Sequence, residues 1–253
     1  MVQGRIHSIE TMGLLDGPGI RTIIFLQGCP LRCTYCHNPD SQTMFSKTHM
    51  TPKEVLELAR KNKTYYDKTG GGITFSGGEP LLQGEFLLET LKLLKKEGFN
   101  TAIDTSGYGD KRYYKEILKY TDVVLLDIKH FDNQGYKEVT GKSMKGFYEF
   151  STYLNDYKGK IWFRHVMVPG ITDNNKSIMK LFHNISHLCD KIERIEILPY
   201  HKMGLEKYEE LDREYLLKDV PEMDVKIAKD FEEILMKLLT KEKENLRNRK
   251  NII

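Results

Sequence analysis

The sequence predicts an α/β fold, with a parallel sheet curled into a partial (β/α)6 TIM-like barrel open on one side. Two observations lead to it. Strand-like and helix-like segments alternate along almost the whole chain, the pattern of βαβ units. Each strand-like segment also delivers reactive or glycine-rich residues at its carboxyl end, where parallel α/β sheets carry function. Right-handed crossovers curl such a sheet toward a barrel, and six strands are fewer than the eight that close one.

The elements follow in order. Arg21–Gln27 (RTIIFLQ) reads as a buried strand. Thr51–Arg60 reads as a helix: Thr51 is a natural N-cap, Pro52 suits the first turn and Glu54 completes a capping box. Val55, Leu58 and Ala59 then recur at helical spacing. Ile73–Ser76 is a short strand between two glycine clusters. Glu85–Lys96 is a helix with Leu87, Leu88, Leu91 and Leu94 inward, and Gly98 follows its end. Thr101–Thr105, Val123–Lys129, Ile161–Val168 and Arg194–Tyr200 complete the strands. Tyr113–Tyr120, Phe147–Tyr157, Lys176–Cys189 and Val225–Leu239 complete the helices.

The chain has 253 residues, 40% hydrophobic and 30% charged, enough for a sizeable core. No repeat or Pro/Gly-rich linker divides it, so residues 1–240 are expected to form one domain. The polar stretch 241–253 reads as a frayed helix end. A formal charge of +3 is too near neutral to suggest nucleic acid. The longest apolar runs, such as Val123–Leu126, are far short of a membrane span, and Met1–Ser8 has no apolar signal region. A cytoplasmic protein is expected.

Three of the four cysteines fall within eight residues, as Cys29, Cys33 and Cys36 with spacing C-x3-C-x2-C. A disulfide framework would spread them through a small secreted chain. Clustered thiolates point to iron–sulfur or zinc ligation. Three ligands on a four-iron cluster leave one iron open for a substrate. A Cys3His zinc site would need His37, whose place directly after Cys36 is awkward for one tetrahedral ion. Cys189 reads as a small buried hydrophobe.

The other strand ends carry Gly77-Gly78-Glu79-Pro80, Asp104-Thr105, Asp127 with Lys129, Arg164 running into Pro169-Gly170, and His201. Taken singly, Gly77-Gly78 could be a turn, Asp104 a cap, Lys129 a surface charge and His201 a core histidine. Their shared location at one end of the sheet favours a site.

The cysteine loop, with Tyr35 before its last cysteine, resembles the radical S-adenosylmethionine (SAM) signature, and the GGEP run strengthens the match. DGPGIR (Asp16–Arg21), QGCPLRCTYCHNP (Gln27–Pro39), TFSGGEP (Thr74–Pro80), DTSG (Asp104–Gly107), LLDIK (Leu125–Lys129) and LPYH (Leu198–His201) together resemble the pyruvate formate-lyase activating enzymes. That resemblance implies a [4Fe–4S] cluster on Cys29, Cys33 and Cys36, with SAM on the open iron. Reductive cleavage would yield a 5′-deoxyadenosyl radical that takes hydrogen from a glycine of pyruvate formate-lyase.

The resemblance also assigns roles. Gly77 and Gly78 would approach the methionine amino group, and Glu79 would fix that loop. Backbone around Tyr35, Cys36 and His37 would meet the adenine. Asp127, Lys129 and His201 would contact the cofactor's polar groups, with Lys129 counted as catalytic beside the cysteines. Arg164 would pair with the cofactor carboxylate. Asp104 and Thr105 would lie near a monovalent cation and the substrate backbone. Asp16, Gly17 and Gly19 would lie against the bound peptide. A flavodoxin or ferredoxin donor and a monomeric state are expected. Activation of another glycyl-radical enzyme, or simple iron–sulfur electron transfer, are the alternatives. The absence of further cysteines between His37 and Thr74 argues against auxiliary clusters.

Overall fold

A computed structural model describes residues 2–250. Its elements run β1 (Gly4–Gly13), β2 (Arg21–Leu26), β3 (Thr48–Met50), α1 (Pro52–Lys61), α2 (Lys63–Thr69), β4 (Gly72–Gly77) and α3 (Gly84–Lys96). Then come β5 (Asn100–Thr105), α4 (Lys111–Lys119), β6 (Val123–Asp127), α5 (Asn133–Thr140), α6 (Lys145–Leu154) and β7 (Lys160–Met167). The chain continues through α7 (Asn175–Ile185), β8 (Ile192–Pro199), α8 (Leu205–Glu210) and α9 (Val225–Lys250).

One sheet has the order β3-β1-β2-β4-β5-β6-β7-β8. From β2 to β8 the six strands are parallel, as expected. Among the described residues no pairing closes β8 onto β3, so the barrel is partial. The two antiparallel strands β1 and β3 extend the β2 edge and were not expected. The reason is local. Strand β1 is buried only at Gly4, Ile6 and its last residue, Gly13, and residues 8–12 are exposed, so no sustained alternation marks it. Strand β3 has three residues and none is buried.

The short helices α2, α5 and α8 also lack a strong apolar period. Tyr66 is the one buried residue of α2, and Tyr208 of α8. Helix α5 is set by its ends instead: the Asp132 carboxylate accepts from the Gly135 N–H, and Gly141 closes it at φ 72°. The capping box of α1 and the inward leucines of α3 are present as expected. Helix α7 ends at Ile185, followed by a 3-10 turn, and Cys189 behind it is wholly buried.

Side chains alternate across each strand, and the alternation sorts this barrel into two compartments. One parity (Ile24, Phe75, Ile103, Val124, Leu126, Phe163 and Ile197) packs against the helices in the main core. The other parity faces the lumen, where Ala102, Val123, Leu125 and Trp162 form a separate apolar floor. Continuing that parity toward the carboxyl ends gives Phe25, Ser76, Asp104, Asp127, Arg164 and Leu198, all lining one cavity.

The β8 edge is not bare. Glu232 of α9 accepts from the Ile197 N–H at 2.9 Å, and Lys243 Nζ donates to the Ile192 carbonyl at 2.6 Å. Two side chains thus satisfy backbone groups that an edge strand otherwise exposes. Helix α9 continues through Lys250, past the Leu239 end expected from sequence; its later turns carry Lys243, and Leu246 packs against the core. The last residues of the expected tail, 251–253, lie outside the described residues.

His165 belongs to the outer parity and is wholly buried. Its Nδ1 lies 2.7 Å from the Ile128 carbonyl, to which it donates, while Nε2 has no partner among the described residues. Burial pushes its pKa down to about 4. Between about pH 4 and 6.5 the unfolded chain therefore binds more protons, so this group's contribution to stability is present above 6.5 and is lost as pH falls through 4. Urea unfolding at stepped pH should show that loss, and His165→Asn should flatten it; an equal slope in the variant would refute the buried neutral histidine.

Candidate active site

The cavity, of about 300 Å³, opens at the carboxyl ends of the parallel strands. Thirteen residues expected from sequence line it: Asp16, Cys29, Cys33, Tyr35, Cys36, His37, Gly77, Gly78, Asp104, Thr105, Asp127, Lys129 and Arg164. Glu79, His201, Gly17 and Gly19 are not part of that lining.

The cysteine loop is held by backbone contacts. Gly28, at φ 105°, donates its N–H to the Ser41 carbonyl at 2.7 Å. Arg32 and Thr34 donate theirs to the Thr140 and Val139 carbonyls at the end of α5, at 2.8 and 2.9 Å. These bonds satisfy orphan helix carbonyls and fix the loop together. The Tyr35 hydroxyl donates to the Lys129 carbonyl at 2.8 Å, tying the loop to β6. The His37 ring lies 4.1 Å from that of His201, and Gly204 packs so closely on His37 that a Cβ would stand 2.9 Å from its Cα.

Glu79 is the hub behind the glycine run. It is 1% exposed. One carboxylate oxygen accepts from the Leu81 N–H at 3.1 Å and the Thr105 hydroxyl at 2.6 Å. The other accepts from the Ser106 N–H at 2.9 Å and the Ser106 hydroxyl at 2.6 Å. Burial raises its pKa and these bonds oppose the rise. Thr105 is thus engaged by Glu79, which joins the loops after β4 and β5.

Gly78 meets a packing requirement beside the role the resemblance suggests. A Cβ there would stand 2.2 Å from the Gly28 carbonyl oxygen. The glycine therefore admits the cysteine loop's own backbone, not only a ligand. A larger side chain at this position should disturb the cysteines as well as cofactor binding.

Asp16 reaches the cavity from the loop before β2. It lies before β2 in sequence, yet its loop folds into the lumen and shares the cavity with all three clustered cysteines. Buried Arg21 holds that loop: it donates to Thr74 Oγ1 at 2.6 Å and to the Pro18 carbonyl at 3.0 Å, and Thr74 Oγ1 donates to the Asp16 carbonyl at 2.6 Å. Gly17 and Gly19 take φ of 124° and 67°, and a Cβ on Gly19 would strike Gly71.

Arg164 organises the lumen charges. It reaches Asp104 at 2.6 Å, Asp127 at 3.4 Å and Asp16 at 3.9 Å. Asp127 also accepts from Lys129 at 2.8 Å, and Ser76 donates to Asp104 at 2.6 Å. Burial opposes charge on Asp16, Asp127, Lys129 and Arg164. Lys129 and Arg164 outweigh it and hold Asp127 below the usual carboxylate range. Asp127 likewise holds Lys129 above its ordinary value, against burial. Asp16 is pushed up to about 6 by burial and by Asp104, with Arg164 opposing. Arg164 thus pairs with Asp104, a residue that the resemblance associates with a cation, and with Asp127.

Several contributors gave no signal in sequence. Lys207 donates to Asn38 at 2.8 Å, and Arg213 donates to the Pro39 carbonyl and to Gln42, so the segment after β8 clasps the cysteine loop's far end. Gln27 donates to the Asp40 and Thr43 carbonyls, both at 2.9 Å. These are long-range contacts that no local spacing encodes.

The thiols fit a metal cluster. Burial pushes Cys29 up to about 12, with the charge of Glu79 adding to it, and raises Cys33 as well. Thiolates so placed need a cationic partner, which an iron–sulfur core supplies. Among the described residues no three His, Cys, Asp or Glu side chains converge on a point suited to a single ion, and His37 Nε2 faces the His201 carbonyl at 3.3 Å.

Fold and site together define a cluster-binding partial barrel, and the chain belongs to the radical SAM superfamily, whose profile matches residues 23–182. It is 52% identical over 239 residues to a Clostridium pasteurianum protein named pyruvate formate-lyase-activating enzyme, covering 94% of this chain and 100% of that one. The protein of that name from Staphylococcus epidermidis is 44% identical, over 91% of this chain and 94% of its own. Among solved structures, Streptococcus suis SuiB bound to precursor peptide SuiA shares the fold at TM-score 0.63 and 18% identity, over 90% of this chain and 48% of that one. A domain of a Bacteroides vulgatus pyruvate-formate lyase-activating enzyme matches at TM-score 0.54 and 23% identity, over 66% of this chain and 94% of that one. The superfamily's cofactors are a [4Fe–4S] cluster and SAM, and the donor set described above suits both.

Glu79→Gln tests the hub. An amide nitrogen in place of either oxygen would face a backbone N–H, leaving a buried donor unpaired at a cost of about 1–3 kcal/mol. Urea unfolding should show that loss, accompanied by weaker SAM binding. Wild-type stability in the variant would mean that the carboxylate is not the tie between the two loops.

Proposed function

We propose that this chain activates pyruvate formate-lyase by installing a glycyl radical. The observation that carries the reading is the convergence of Cys29, Cys33 and Cys36 with the charged lumen on a single cavity at the strand ends. Relatives named for this activity match the chain over nearly its full length. When bound, the cluster and SAM supply reductive cleavage and the 5′-deoxyadenosyl radical that takes hydrogen from a glycine α-carbon.

The protein itself binds, orients and shields. Cys29, Cys33 and Cys36 would hold the cluster. Three lumen carboxylates (Asp16, Asp104 and Asp127) face two cations (Lys129 and Arg164), leaving one excess negative charge when all are ionised. A cationic sulfonium suits that balance. Backbone around Tyr35 to His37 forms the wall for the adenine, and Gly77 and Gly78 the wall for the methionine end. Asp16 stands beside Arg164, where an incoming peptide and the lumen charges meet. The Leu14 and Leu15 side chains just before it are exposed, available to the partner's loop. A flavodoxin or ferredoxin is the electron donor in this reading, and the chain acts as a cytoplasmic monomer without nucleic acid. No helix among the described residues is long and apolar enough to cross a membrane.

The test is anaerobic incubation with pyruvate formate-lyase, SAM and a reductant, followed by electron paramagnetic resonance. A glycyl radical on the partner is expected from the wild type. Cys33→Ala should give neither a four-iron cluster nor the radical, whereas Cys189→Ala should retain both. A radical on a different glycyl-radical enzyme but not on pyruvate formate-lyase would redirect the assignment of the partner. A full cluster in Cys33→Ala would remove its basis.

A further inference from the structure

Three segments of chain meet around Cys29, the first of the clustered cysteines. Its N–H donates to the Gln42 carbonyl at 3.5 Å. Its carbonyl accepts from the Arg32 guanidinium at 2.7 Å, and that contact lies at the surface. On the Gln42 side, Met44 and Phe45 are 54% and 70% exposed. Met44 lies against the start of the cysteine loop, since a Cβ on Gly28 would stand 2.8 Å from its sulfur. On the Arg32 side is the carboxyl end of α5. The Arg32 N–H donates to the Thr140 carbonyl at 2.8 Å, and its Cβ lies beside Gly141. Lys137, Lys142 and Lys145, from that end of the helix and the turn into α6, are all exposed.

The charge of this face is one-sided. Residues 28–34 and 137–145 carry four basic side chains against one acidic, Glu138, in a chain near balance at 39 against 36. Among the described residues none of the four cations is in an ion pair. Lys145 opens α6, where the helix dipole disfavours a cation, so helix stability does not account for it. Unpaired cations beside exposed apolar side chains fit the surface of an acidic protein. Reductive chemistry at the cysteines needs an electron from outside the chain, and the Cys29 backbone is in direct contact with this face. A peptide that loses hydrogen must reach the cavity, by way of the Asp16 loop. An electron carrier need only come close to the cysteines.

We propose that this face, with Met44 and Phe45 flanked by Arg32, Lys137, Lys142 and Lys145, docks an acidic one-electron carrier protein. This rests on the reading that Cys29 ligates a reducible cluster. The cations steer the carrier inward and the apolar pair seats it. With a flavodoxin, the flavin hydroquinone gives up one electron and becomes the semiquinone, and the oxidised cluster takes up that electron. No bond between the two proteins is made.

The experiment is stopped-flow reduction of the reconstituted holoprotein by flavodoxin hydroquinone over a series of salt concentrations, with cluster content matched between variants. Lys137→Glu/Lys142→Glu should lower the second-order rate about tenfold at low salt, within the range that steering supplies, and flatten the salt dependence. Phe45→Ser should weaken carrier affinity alike at every salt concentration. Photoreduction by a neutral deazaflavin, which needs no docking, should run at the wild-type rate in both variants. Lys115 and Lys158 line a separate cavity. Lys115→Glu/Lys158→Glu makes the same change in net charge there and should leave flavodoxin reduction unchanged. A wild-type flavodoxin rate in Lys137→Glu/Lys142→Glu, an equal fall in Lys115→Glu/Lys158→Glu, or no reduction of the wild type by flavodoxin would overturn the proposal. So would loss of glycyl-radical installation in Lys137→Glu/Lys142→Glu while deazaflavin supplies the electrons, which would assign the face to the protein substrate. A wild type that flavodoxin reduces but that installs no radical on pyruvate formate-lyase would overturn the proposed function and leave the docking face standing.

Discussion

A single buried carboxylate joins the parts of this molecule that must stay in register. Glu79 accepts four hydrogen bonds, from Leu81, Thr105 and both donors of Ser106. It thereby ties the loop after β4 to the loop after β5. The Glu79 N–H in turn donates to the Gly28 carbonyl at 2.8 Å, at the entrance to the cysteine loop. Three adjacent strand ends are thus linked through one residue. A neutral or shorter side chain could not satisfy so many donors in a dry setting, where unpaired polar groups cost most.

The lumen shows the same economy with charge. Arg164 and Lys129 are largely buried cations that remain charged because Asp127 lies between them and Asp104 adds to Arg164. Removing one member would leave the others buried and unbalanced. The apolar floor of Ala102, Val123, Leu125 and Trp162 lies beneath this layer and separates it from the far end of the barrel. Arg21 is wholly buried, and burial pushes its pKa down to about 10. It bonds to carbonyls, to Thr74 and to Asn100, and so shapes the Asp16 loop. Arg164 and Arg21 therefore play different parts. Arg164 balances charge, whereas Arg21 braces backbone.

The outer shell supports the site from a distance. Helix α5 caps the cysteine loop through its carbonyl end, and the segment from His201 to Arg213 holds that loop's far side through His37, Asn38 and Pro39. Helix α9 satisfies the β8 edge through Glu232 and Lys243. A partial barrel needs such cover because an open sheet presents unpaired backbone groups.

The sequence by itself determined the six parallel strands, the main helices and most residues of the cavity lining. Those features are local: apolar runs, capping residues and short motifs at strand ends. Once a parallel sheet is inferred, its period-two alternation carries Asp104, Asp127 and Arg164 to one lumen without further information. Tertiary structure alone decided the rest. Strands β1 and β3 form because a neighbour supplies their hydrogen bonds, not because their side chains alternate. Asp16 enters the cavity because Arg21 and Thr74, separate in sequence, fold its loop inward. Gly78 is required by the Gly28 carbonyl on a different loop, a contact no motif states. Arg164 lies on carboxylates from two other strands, so its engagement follows from strand order rather than spacing. Local chemistry is written along the chain, whereas pairings between distant segments exist only once the backbone has closed around them.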